Sequence, residues 1–372
     1  MSERPRIAVF TSFSGLGGVE RMIVNLCNGL VHLGCCVDLL PIRDDAPHLA
    51  SLDPAVRLVK LRASHAISAV FPLARYLREN RPDGLLAAKD RANQTAVMAS
   101  RLARVETRVV TRLGTTISAS ISHRDPFSRF FRRLPPRLTY RMADAVVAVS
   151  KGVARDLAAM TGLCESSITV IPNPVITPDL FDRAAMPSGH PWIKTGAEDP
   201  EKPVILGMGR LTRQKDFQTL VRAFGIVKAH RPCRLIILGE GGDRPKLEAL
   251  AADLGLSRDV SLPGFAANPY SYLSRASLFV LSSAWEGSPN ALTEALALGV
   301  PVVSTNCPSG PREILEDGTY GPIVPVGDHK ALAKAMLRTL DAPLEKGLLR
   351  KAARAYTQEE ASRRYLELLI RP

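Results

Sequence analysis

The chain has 372 residues, of which 46% are hydrophobic, and a formal net charge of +13 at pH 7. This length is sufficient for two domains of ordinary size, each with its own core, and no hydrophobic run reaches the roughly 18 residues that a membrane-spanning helix needs. The N-terminus lacks a signal-peptide pattern, and the six cysteines form neither a CxxC pair nor a Cys/His cluster, so we expect a cytosolic protein without zinc or disulfides.

Short β-branched strands alternate with amphipathic helical stretches in the first half of the chain. The strand RIAVFTS precedes the helix VERMIVNLCNGLVHLG, and the strands CCVDLLPI, RVVTRLG and DAVVAVS follow. Strand–helix alternation predicts a parallel, doubly wound sheet. This pattern predicts a Rossmann-like domain over 1–178, and the segment rich in Pro, Asp and Gly that follows predicts a linker over 179–202.

The second half repeats the same alternation and predicts a second Rossmann-like domain over 203–355. Its strands are read from PVILGMG, CRLIILGEG, VSLPGF, SLFVLSS and VPVVST. The last helix, within 356–372, is expected to pack back towards the first domain. The predicted fold class is therefore α/β, with two Rossmann-like domains facing across a cleft at the carboxyl ends of their strands, where ligands of such sheets bind.

Glycine-rich turns follow three of the predicted strands. Gly17 and Gly18 precede the first helix in SGLGGVE, where a helix N-terminus can accept an anion, and a tight turn that needs glycine is the alternative. Gly239 and Glu240 lie in the turn LGEGGD. Because GLGG departs from the GxGxxG pattern, a nicotinamide-dependent dehydrogenase is disfavoured.

The second domain opens with GMGRLTRQKDF, in which Arg210 and Lys215 follow Gly209 at the end of a strand. Two cations at the cleft end of a parallel sheet suit a diphosphate, whose negative charge they would neutralise. The alternative is two solvated surface cations.

Two glutamates, Glu286 and Glu294, lie eight positions apart in WEGSPNALTEALALGVPVV. Glu294 could be the solvated edge of a helix and Glu286 an ordinary loop residue. Their position at the start of a helix after a strand instead places a carboxylate at either end of a bound ligand. Carboxylates accept hydrogen bonds from sugar hydroxyls, so these residues predict a nucleotide-sugar site.

Taken together, the motifs GGVER, GRLTRQKDF, GEGG and WEGSPNALTEALALGVPVVSTNCPSGPREI resemble the retaining glycosyltransferases of family 4, which have the GT-B fold, and in particular those that build bacterial surface polysaccharides. The resemblance covers nearly the whole chain. It implies an acceptor-binding first domain and a second domain that binds a nucleotide sugar.

The resemblance also implies roles for individual residues. Arg210 and Lys215 would bind the donor diphosphate, Glu286 the donor sugar and Glu294 the ribose. The other residues that it assigns to the donor are Gly17, Gly18, Gly209, Gly239, Glu240, Ser288, Asn290, Ala291 and Glu313.

The expected reaction follows from the same resemblance. A hexose or N-acetylhexosamine passes from a nucleotide diphosphate sugar, with UDP favoured over GDP, to a glycan or a polyprenyl-phosphate-linked saccharide. The anomeric configuration is retained by front-face attack, in which the leaving phosphate oxygen accepts the proton of the acceptor. The sequence has no D-x-D triplet, so we expect no metal and no other cofactor.

A basic segment interrupts the first domain: residues 101–141 hold ten arginines and two acidic residues. Many family members have a histidine where this chain has Arg112, and His123 is the next histidine downstream; both are candidates for contact with the acceptor or a membrane. The stretch DPFSRFFRRLPPR predicts a short helix with phenylalanines on one face and Arg129, Arg132 and Arg133 on the other. Such a helix binds anionic membranes or docks into the core, and we expect peripheral association with the inner face of the cytoplasmic membrane.

Two other function classes remain open from the sequence. A nucleotide-sugar 2-epimerase that uses no hydride cofactor would have the same two-domain cleft but would need no acceptor. A nucleic-acid-binding protein would explain the positive charge, but the arginines accompany no helix-turn-helix, RRM or zinc pattern, so no nucleic acid is expected as a partner.

Overall fold

The computed structural model describes residues 4–12, 18–42, 47–118, 137–193 and 202–370. The chain divides into two compact units. The first unit contains the residues up to Val175 and those from Tyr356 onwards, and the second runs from Ile176 to Ala355.

The first unit is built on a parallel sheet that has seven strands among the described residues, in the order β3-β2-β1-β4-β5-β6-β7. The strands are β1 (Arg6–Thr11), β2 (Cys36–Pro41), β3 (Arg57–Leu58), β4 (Gly84–Ala88), β5 (Arg108–Leu113), β6 (Ala145–Ala148) and β7 (Ile168–Val170). The helices are α1 (Gly18–His32), α2 (Val70–Asn80), α3 (Asp90–Ala103) and α4 (Lys151–Thr161), and residues 137–142 are also helical. Short 3₁₀ turns span Pro47–Ser51, Ile67–Ala69 and Glu165–Ser167.

Strand β1 shows why this sheet is covered on both faces. Its side chains alternate, so that Ile7 and Val9 belong to one hydrophobic cluster and Ala8 and Phe10 to another. A strand buried on both faces reads as a continuous hydrophobic run, as RIAVFT does. The doubly wound sheet predicted from the sequence is therefore confirmed.

The C-terminal helix, numbered α13 (Gln358–Leu369), packs on α1 within the first unit. A Cβ atom added at Gly29 of α1 would lie 2.1 Å from Oγ of Ser362, and one at Gly84 would lie 2.5 Å from the carbonyl oxygen of Leu369. These two glycines therefore allow the close approach of the last helix.

The second unit has a parallel sheet of six described strands, in the order β10-β9-β8-β11-β12-β13. They are β8 (Val204–Met208), β9 (Arg234–Leu238), β10 (Val260–Gly264), β11 (Leu278–Leu281), β12 (Val302–Thr305) and β13 (Ile323–Val324). The helices are α5 (Leu180–Ala185), α6 (Phe217–His230), α7 (Arg244–Asp253), α8 (Tyr270–Leu273), α9 (Asn290–Leu298), α10 (Pro311–Ile314), α11 (His329–Asp341) and α12 (Lys346–Ala352). Two 3₁₀ turns, Glu316–Gly318 and Arg354–Tyr356, complete the description, and no described helix is long and apolar enough to cross a membrane.

The sequence predicts a linker over 179–202, but the start of this segment forms the helix α5. Helix α5 buries Leu180 and Ala184, and Arg275 of the second unit donates hydrogen bonds to the carbonyl oxygens of Ala184 and Ala185, each at 2.9 Å. A helix this short leaves no periodic pattern in the sequence, so its Pro-rich and Gly-rich surroundings were read as a connection. Its contacts make it part of the second unit.

Candidate functional site

The loops after β8 and β9 are stacked against each other at the carboxyl edge of the second sheet. Gly209 has φ +155° and Gly239 has φ +132°, and a Cβ atom at Gly239 would lie only 2.0 Å from the carbonyl oxygen of Gly209. The N–H of Gly209 donates to the carbonyl oxygen of Leu238 at 2.9 Å. Glycine is therefore required at position 239, and at 209 the backbone conformation favours it.

Lys215 is fixed at the end of the first of these loops, directly before α6. The hydroxyl of Ser282, at the end of β11, donates to the carbonyl oxygen of Lys215 at 2.8 Å. Asp216 caps α6, because its side chain accepts a hydrogen bond from the backbone N–H of Thr219 at 3.4 Å and another from the Thr219 hydroxyl at 2.6 Å. A Cβ atom at Gly209 would lie 2.8 Å from Cε of Lys215, so the glycine also leaves room for the lysine stem.

Glu286 meets Lys215 directly. The Nζ atom of Lys215 lies 2.6 Å from Oε1 of Glu286, and the side chains are only 16% and 8% exposed, respectively. The hydroxyl of Ser283 donates to the same carboxylate oxygen at 2.7 Å. A charge pair this far from water is favourable only when further hydrogen bonds satisfy it, which Ser283 does here. The structure thus brings together the two residues that the sequence assigned to diphosphate and sugar.

Arg210 is exposed on the same loop as Lys215. Its Nη2 atom is 3.4 Å from Oε1 of Gln214, and the side-chain amide of Gln214 donates to the carbonyl oxygen of Trp285 at 3.0 Å. Gln214 therefore ties the cationic loop to the loop that carries Glu286. Sequence reasoning missed this residue, although it stands within the RQKDF motif.

Glu294 is buried, with 1% of its surface exposed, and the hydroxyl of Tyr270 lies 3.5 Å from its Oε1 atom. The alternative of a solvated helix edge is therefore wrong. Its helix, α9, begins at Asn290, and the residues assigned to the donor at this end, Ser288, Asn290 and Ala291, are half-buried.

Residues 309–314 lie against the approach to α9. The hydroxyl of Ser309 donates to the carbonyl oxygen of Gly287 at 2.9 Å, and Gly310 has φ +95°. A Cβ atom at Gly310 would lie 2.6 Å from Cδ of Pro289. Glu313 follows in α10 and is half-buried.

Glu240 is exposed and paired with Arg244. The Nη2 and Nε atoms of Arg244 reach the two carboxylate oxygens at 2.5 and 3.0 Å. The hydrogen bonds from Arg244 lower the pKa of Glu240. Glu240 therefore lies on the second glycine loop, as predicted, with its charge already neutralised by a neighbour.

Cys307 is a buried residue beside the pair that sequence reasoning did not single out. Burial, followed by the negative charge of Glu286, raises the pKa of its thiol to about 12. The thiol is therefore neutral at physiological pH and contributes polarisable packing rather than charge.

In the first unit, Gly18 begins α1, and a second lysine–glutamate pair follows it. The Nζ atom of Lys89 lies 2.7 Å from the buried carboxylate of Glu20 and donates to the carbonyl oxygen of Ser12 at 2.6 Å. Lys89 has φ +83°, a strained conformation for a non-glycine residue. The GGVER motif contains Glu20, but nothing in the sequence marked Lys89 as its partner.

Arg112 requires a correction. Its side chain is 1% exposed, and its Nη2 atom donates to Oδ1 of Asn173 at 2.6 Å, with Tyr365 of α13 as a further partner. A guanidinium buried in this way cannot contact lipid headgroups, so of its two candidate roles, contact with the acceptor or with a membrane, the membrane role is wrong. Burial lowers the pKa of Arg112.

Several predicted residues lie outside the part of the chain that the structure describes. They are Gly17, His123, Arg129, Arg132 and Arg133. Within the described ranges, no group of three or more His, Cys, Asp or Glu side chains is arranged to hold a metal ion.

Two family models together match most of the chain. Residues 16–177 match Glycosyltransferase Family 4, and residues 191–360 match Glycosyl transferases group 1. The chain belongs to this glycosyltransferase family and is a glycosyltransferase.

Curated relatives agree with this assignment. An N-acetylgalactosamine-N,N'-diacetylbacillosaminyl-diphospho-undecaprenol 4-alpha-N-acetylgalactosaminyltransferase of Campylobacter jejuni is 30% identical over 76% of this chain and 74% of its own length. A lipopolysaccharide core biosynthesis glycosyltransferase of Rhizobium meliloti, LpsE, is 29% identical over 86% of this chain and 84% of its own. An uncharacterized glycosyltransferase of Methanocaldococcus jannaschii is 28% identical, but the alignment spans 67% of this chain and 62% of the relative.

Solved structures establish the fold. The crystal structure of Anabaena HepE in complex with UDP has a TM-score of 0.78 at 19% identity and covers 97% of this chain and 99% of that one. The two parallel-sheet units are therefore those of a GT-B glycosyltransferase, as predicted.

Proposed function

We propose that this glycosyltransferase moves a hexose or N-acetylhexosamine from a UDP-sugar to a glycan or polyprenyl-phosphate-linked saccharide in cell-surface polysaccharide biosynthesis. The observation that carries the proposal is the contact between Lys215 and Glu286, because it joins a cation for the diphosphate to a carboxylate for the sugar. The relatives support the acceptor class: one acts on a diphospho-undecaprenol saccharide and another in lipopolysaccharide core biosynthesis. The solved UDP complex of HepE supports the nucleotide.

In this proposal the second unit holds the donor. Lys215 and Arg210 neutralise the diphosphate, Glu286 accepts hydrogen bonds from the donor sugar, and Glu294 accepts them from the ribose. The half-buried start of α9, at Ser288, Asn290 and Ala291, adds the positive end of a helix dipole. Glu313 follows Gly310, whose backbone closely approaches Pro289 in this segment.

The proposed reaction retains the anomeric configuration. The bond between the anomeric carbon and the phosphate oxygen breaks, a bond to the acceptor hydroxyl oxygen forms on the same face, and the acceptor proton passes to the leaving phosphate oxygen. Lys215 and Arg210 stabilise the charge that develops on the diphosphate, so the proposal requires no metal. Glu286 positions the sugar and does not act as a nucleophile.

We also infer that the protein works at the inner face of the cytoplasmic membrane as a peripheral protein. Acceptors linked to polyprenyl phosphate reside in the bilayer, and the arginines of segment 101–141 other than the buried Arg112 are suited to anionic headgroups. Removal of Arg129, Arg132 and Arg133 by replacement with Ser is expected to reduce sedimentation with anionic vesicles.

The donor proposal is tested by isothermal titration calorimetry with UDP- and GDP-sugars in the presence of EDTA. We expect binding of a UDP-sugar that Lys215→Ala weakens by at least about tenfold. Lys228→Ala is the matched control, because Lys228 forms a similar pair with Asp259 at 2.7 Å elsewhere in the second unit. No binding by the wild type, or binding that EDTA abolishes, would refute the proposal.

The stereochemistry is tested by NMR of the first product formed from an α-linked donor. We expect an α-linked product. A β-linked product would refute retention, and turnover of the donor without any acceptor would favour a nucleotide-sugar 2-epimerase.

A further inference from the structure

Several exposed hydrophobic side chains are grouped on adjacent helical elements of the first unit. Phe71 of α2 is 74% exposed, Met98 of α3 is 58% exposed, and Leu138 in the helical segment 137–142 is 63% exposed. Ile67, Leu102 and Met142 are exposed on the same elements. Isolated exposed hydrophobic residues are ordinary, but large side chains clustered on adjacent elements mark an interaction surface.

Hydrogen bonds show that these elements are neighbours. The hydroxyl of Thr95 in α3 donates to the carbonyl oxygen of Ala66, just before α2, and Arg78 at the end of α2 donates to the carbonyl oxygen of Leu102 at 2.7 Å. On the other flank of α3, Arg101 lies 3.5 Å from the carbonyl oxygen of Met142. The exposed residues of α2, α3 and 137–142 therefore share one surface, which we name the α2–α3 face.

The same face is strongly basic. Its exposed arginines include Arg75, Arg78, Arg91, Arg101, Arg137 and Arg141. Glu79 is also exposed there, and it already pairs with Arg75 at 2.7 Å. Arg137 and Arg141 each donate a hydrogen bond to a backbone carbonyl oxygen and Arg78 donates two, but a guanidinium has five N–H donors and retains the capacity to bind a phosphate.

Helical spacing interleaves the two kinds of side chain. On α2, Phe71, Arg75 and Arg78 stand at i, i+4 and i+7, and on α3 Met98 is followed by Arg101 at i+3. Residues at these spacings lie on one stripe of a helix. Phe71 and Met98 therefore each share a helical stripe with at least one exposed arginine.

We propose that the α2–α3 face docks onto the surface of an anionic bilayer, with Phe71, Met98 and Leu138 among the acyl chains and the arginines against the headgroup phosphates. Apolar side chains interleaved with arginines are the composition of interfacial membrane-binding surfaces. A second copy of this chain is a poorer partner, because a symmetric contact would bring like-charged arginines together. The proposal rests on the lipid-linked acceptor proposed above and names the part of the first unit that reaches the membrane.

The test is flotation of the full chain with vesicles made of equal parts phosphatidylglycerol and phosphatidylcholine. The variant Phe71→Ser/Met98→Ser leaves residues 119–136 unchanged, so it separates the α2–α3 face from the arginines of the basic segment at 129–133. The matched control is Phe181→Ser/Met186→Ser, because these side chains of the second unit are 50% and 52% exposed. A second pair compares Arg75→Ser/Arg91→Ser with Arg258→Ser/Arg338→Ser, all of them at exposed arginines.

We expect both α2–α3 variants to lower the vesicle partition coefficient by at least about tenfold while both controls remain within about twofold of the wild type. Vesicles of phosphatidylcholine alone should bind all proteins weakly. Circular dichroism and an unchanged Kd for the UDP-sugar establish that the variants are folded.

Two results would overturn the inference. The first is vesicle binding by the α2–α3 variants equal to that of their controls. The second is a concentration-dependent dimer of the wild type, seen by analytical ultracentrifugation, that Phe71→Ser/Met98→Ser dissociates. If the wild type binds vesicles but no nucleotide sugar, the proposed function is contradicted. The inference that the α2–α3 face binds the membrane is not affected by that result.

Discussion

The Nζ atom of Lys215 lies 2.6 Å from Oε1 of Glu286, and both side chains are largely shielded from solvent. In this pair each charge neutralises the other. A diphosphate that binds Lys215 therefore competes with Glu286 for the ammonium group, and a sugar that binds Glu286 competes with Lys215 for the carboxylate. The contact couples the two halves of the proposed donor site.

This coupling predicts that Glu286→Gln binds UDP more tightly but transfers sugar more slowly. The amide keeps the shape of the carboxylate and can still accept the hydrogen bond of Ser283, but it no longer holds the charge of Lys215. We expect the Kd for UDP to fall about fivefold, which corresponds to ~1 kcal/mol for one ion pair. The transfer rate should fall about 100-fold, because the donor sugar loses its charged hydrogen-bond acceptor.

Calorimetry with UDP and a radiochemical transfer assay check both parts of this prediction. Asp259→Asn is the matched control, since Asp259 pairs with Lys228 at 2.7 Å away from the proposed donor residues. Weaker UDP binding by Glu286→Gln would show that Glu286 does not compete for Lys215.

Local patterns were sufficient to predict the two sheets and to select the residues proposed for the site, but not the contacts between those residues. Lys215 and Glu286 stand in separate motifs, 71 positions apart, and their contact depends on Ser282 holding the Lys215 backbone at the end of β11. The pair between Lys89 and Glu20 was missed altogether. This pair joins residues that are 69 positions apart in the sequence. It also requires a strained backbone conformation at Lys89, which no local sequence pattern predicts.

Arg112 shows a second limit of sequence-based prediction, because its residue type and its basic neighbours predicted an exposed position that the structure does not show. An arginine in a basic segment is expected to be exposed on the surface. Arg112 instead lies on β5, and its side chain is buried inside the first unit, where Asn173 and Tyr365 are its partners. Both partners come from segments distant in sequence. Only the assembled first unit shows that this guanidinium is buried, that Asn173 and Tyr365 are its partners, and that its Nε and Nη1 atoms have no hydrogen-bond partner among the described residues.

The stacked glycine loops predict a sharp difference between neighbouring glycines. Gly239→Ala should destabilise the second unit by about 3 kcal/mol, because alanine disfavours φ +132° and its Cβ atom would lie 2.0 Å from the carbonyl oxygen of Gly209. UDP binding should be lost as well, since the displaced loop carries Arg210 and Lys215. Thermal unfolding and calorimetry measure the two effects.

Gly242→Ala is the matched control for this change. A Cβ atom at Gly242 meets no described atom within 4 Å, so its stability and UDP affinity should stay close to those of the wild type. Equal effects at both positions would show that the close approach of the loops is unimportant.

The buried contact of Arg112 predicts coupling within the first unit. Asn173→Ala removes the acceptor at 2.6 Å from a guanidinium that is 1% exposed, and we expect a loss of about 2 kcal/mol in the free energy of unfolding of this unit. Adding Arg112→Met should recover part of that loss, because the charge that lacks an acceptor is then removed as well. Hydrogen exchange of β5 and α13, followed by mass spectrometry, reports the local stability.

The double variant Asn173→Ala/Arg112→Met measures whether the two side chains interact. Strictly additive losses from Asn173→Ala and Arg112→Met would mean that the two side chains do not depend on each other. UDP binding, which we assign to the second unit, should not change in any member of the cycle.

The cysteines predict which thiols react in the native protein. Cys36 and Cys164 are exposed, and a hydrogen bond with Ser166 lowers the pKa of Cys164. Iodoacetamide at pH 8 should therefore modify Cys164 first and Cys36 next, while Cys27, Cys35, Cys233 and Cys307 react only after unfolding. Peptide mass spectrometry assigns the sites, and rapid modification of Cys307 in the native chain would contradict its burial.

The buried thiols also predict how stability changes with pH. Burial raises the pKa of Cys27 to about 12 and that of Cys233 to about 11, above the ordinary value of 9.0. The unfolded chain therefore ionises these thiols first, so their contribution is fully present below pH 9 and is lost as the pH rises towards their folded values. Each thiol should lower the free energy of unfolding by roughly 1.4 kcal/mol per pH unit in that range.

Urea unfolding above and below pH 9 tests this slope. Lysines and tyrosines also titrate in alkali, so the comparison must be made with Cys27→Ala, which removes one buried thiol and no other titrating group. The variant should lose stability less steeply than the wild type as the pH rises. Parallel curves would mean that the Cys27 thiol ionises as easily in the folded chain as in the unfolded one, which its complete burial in the first unit forbids.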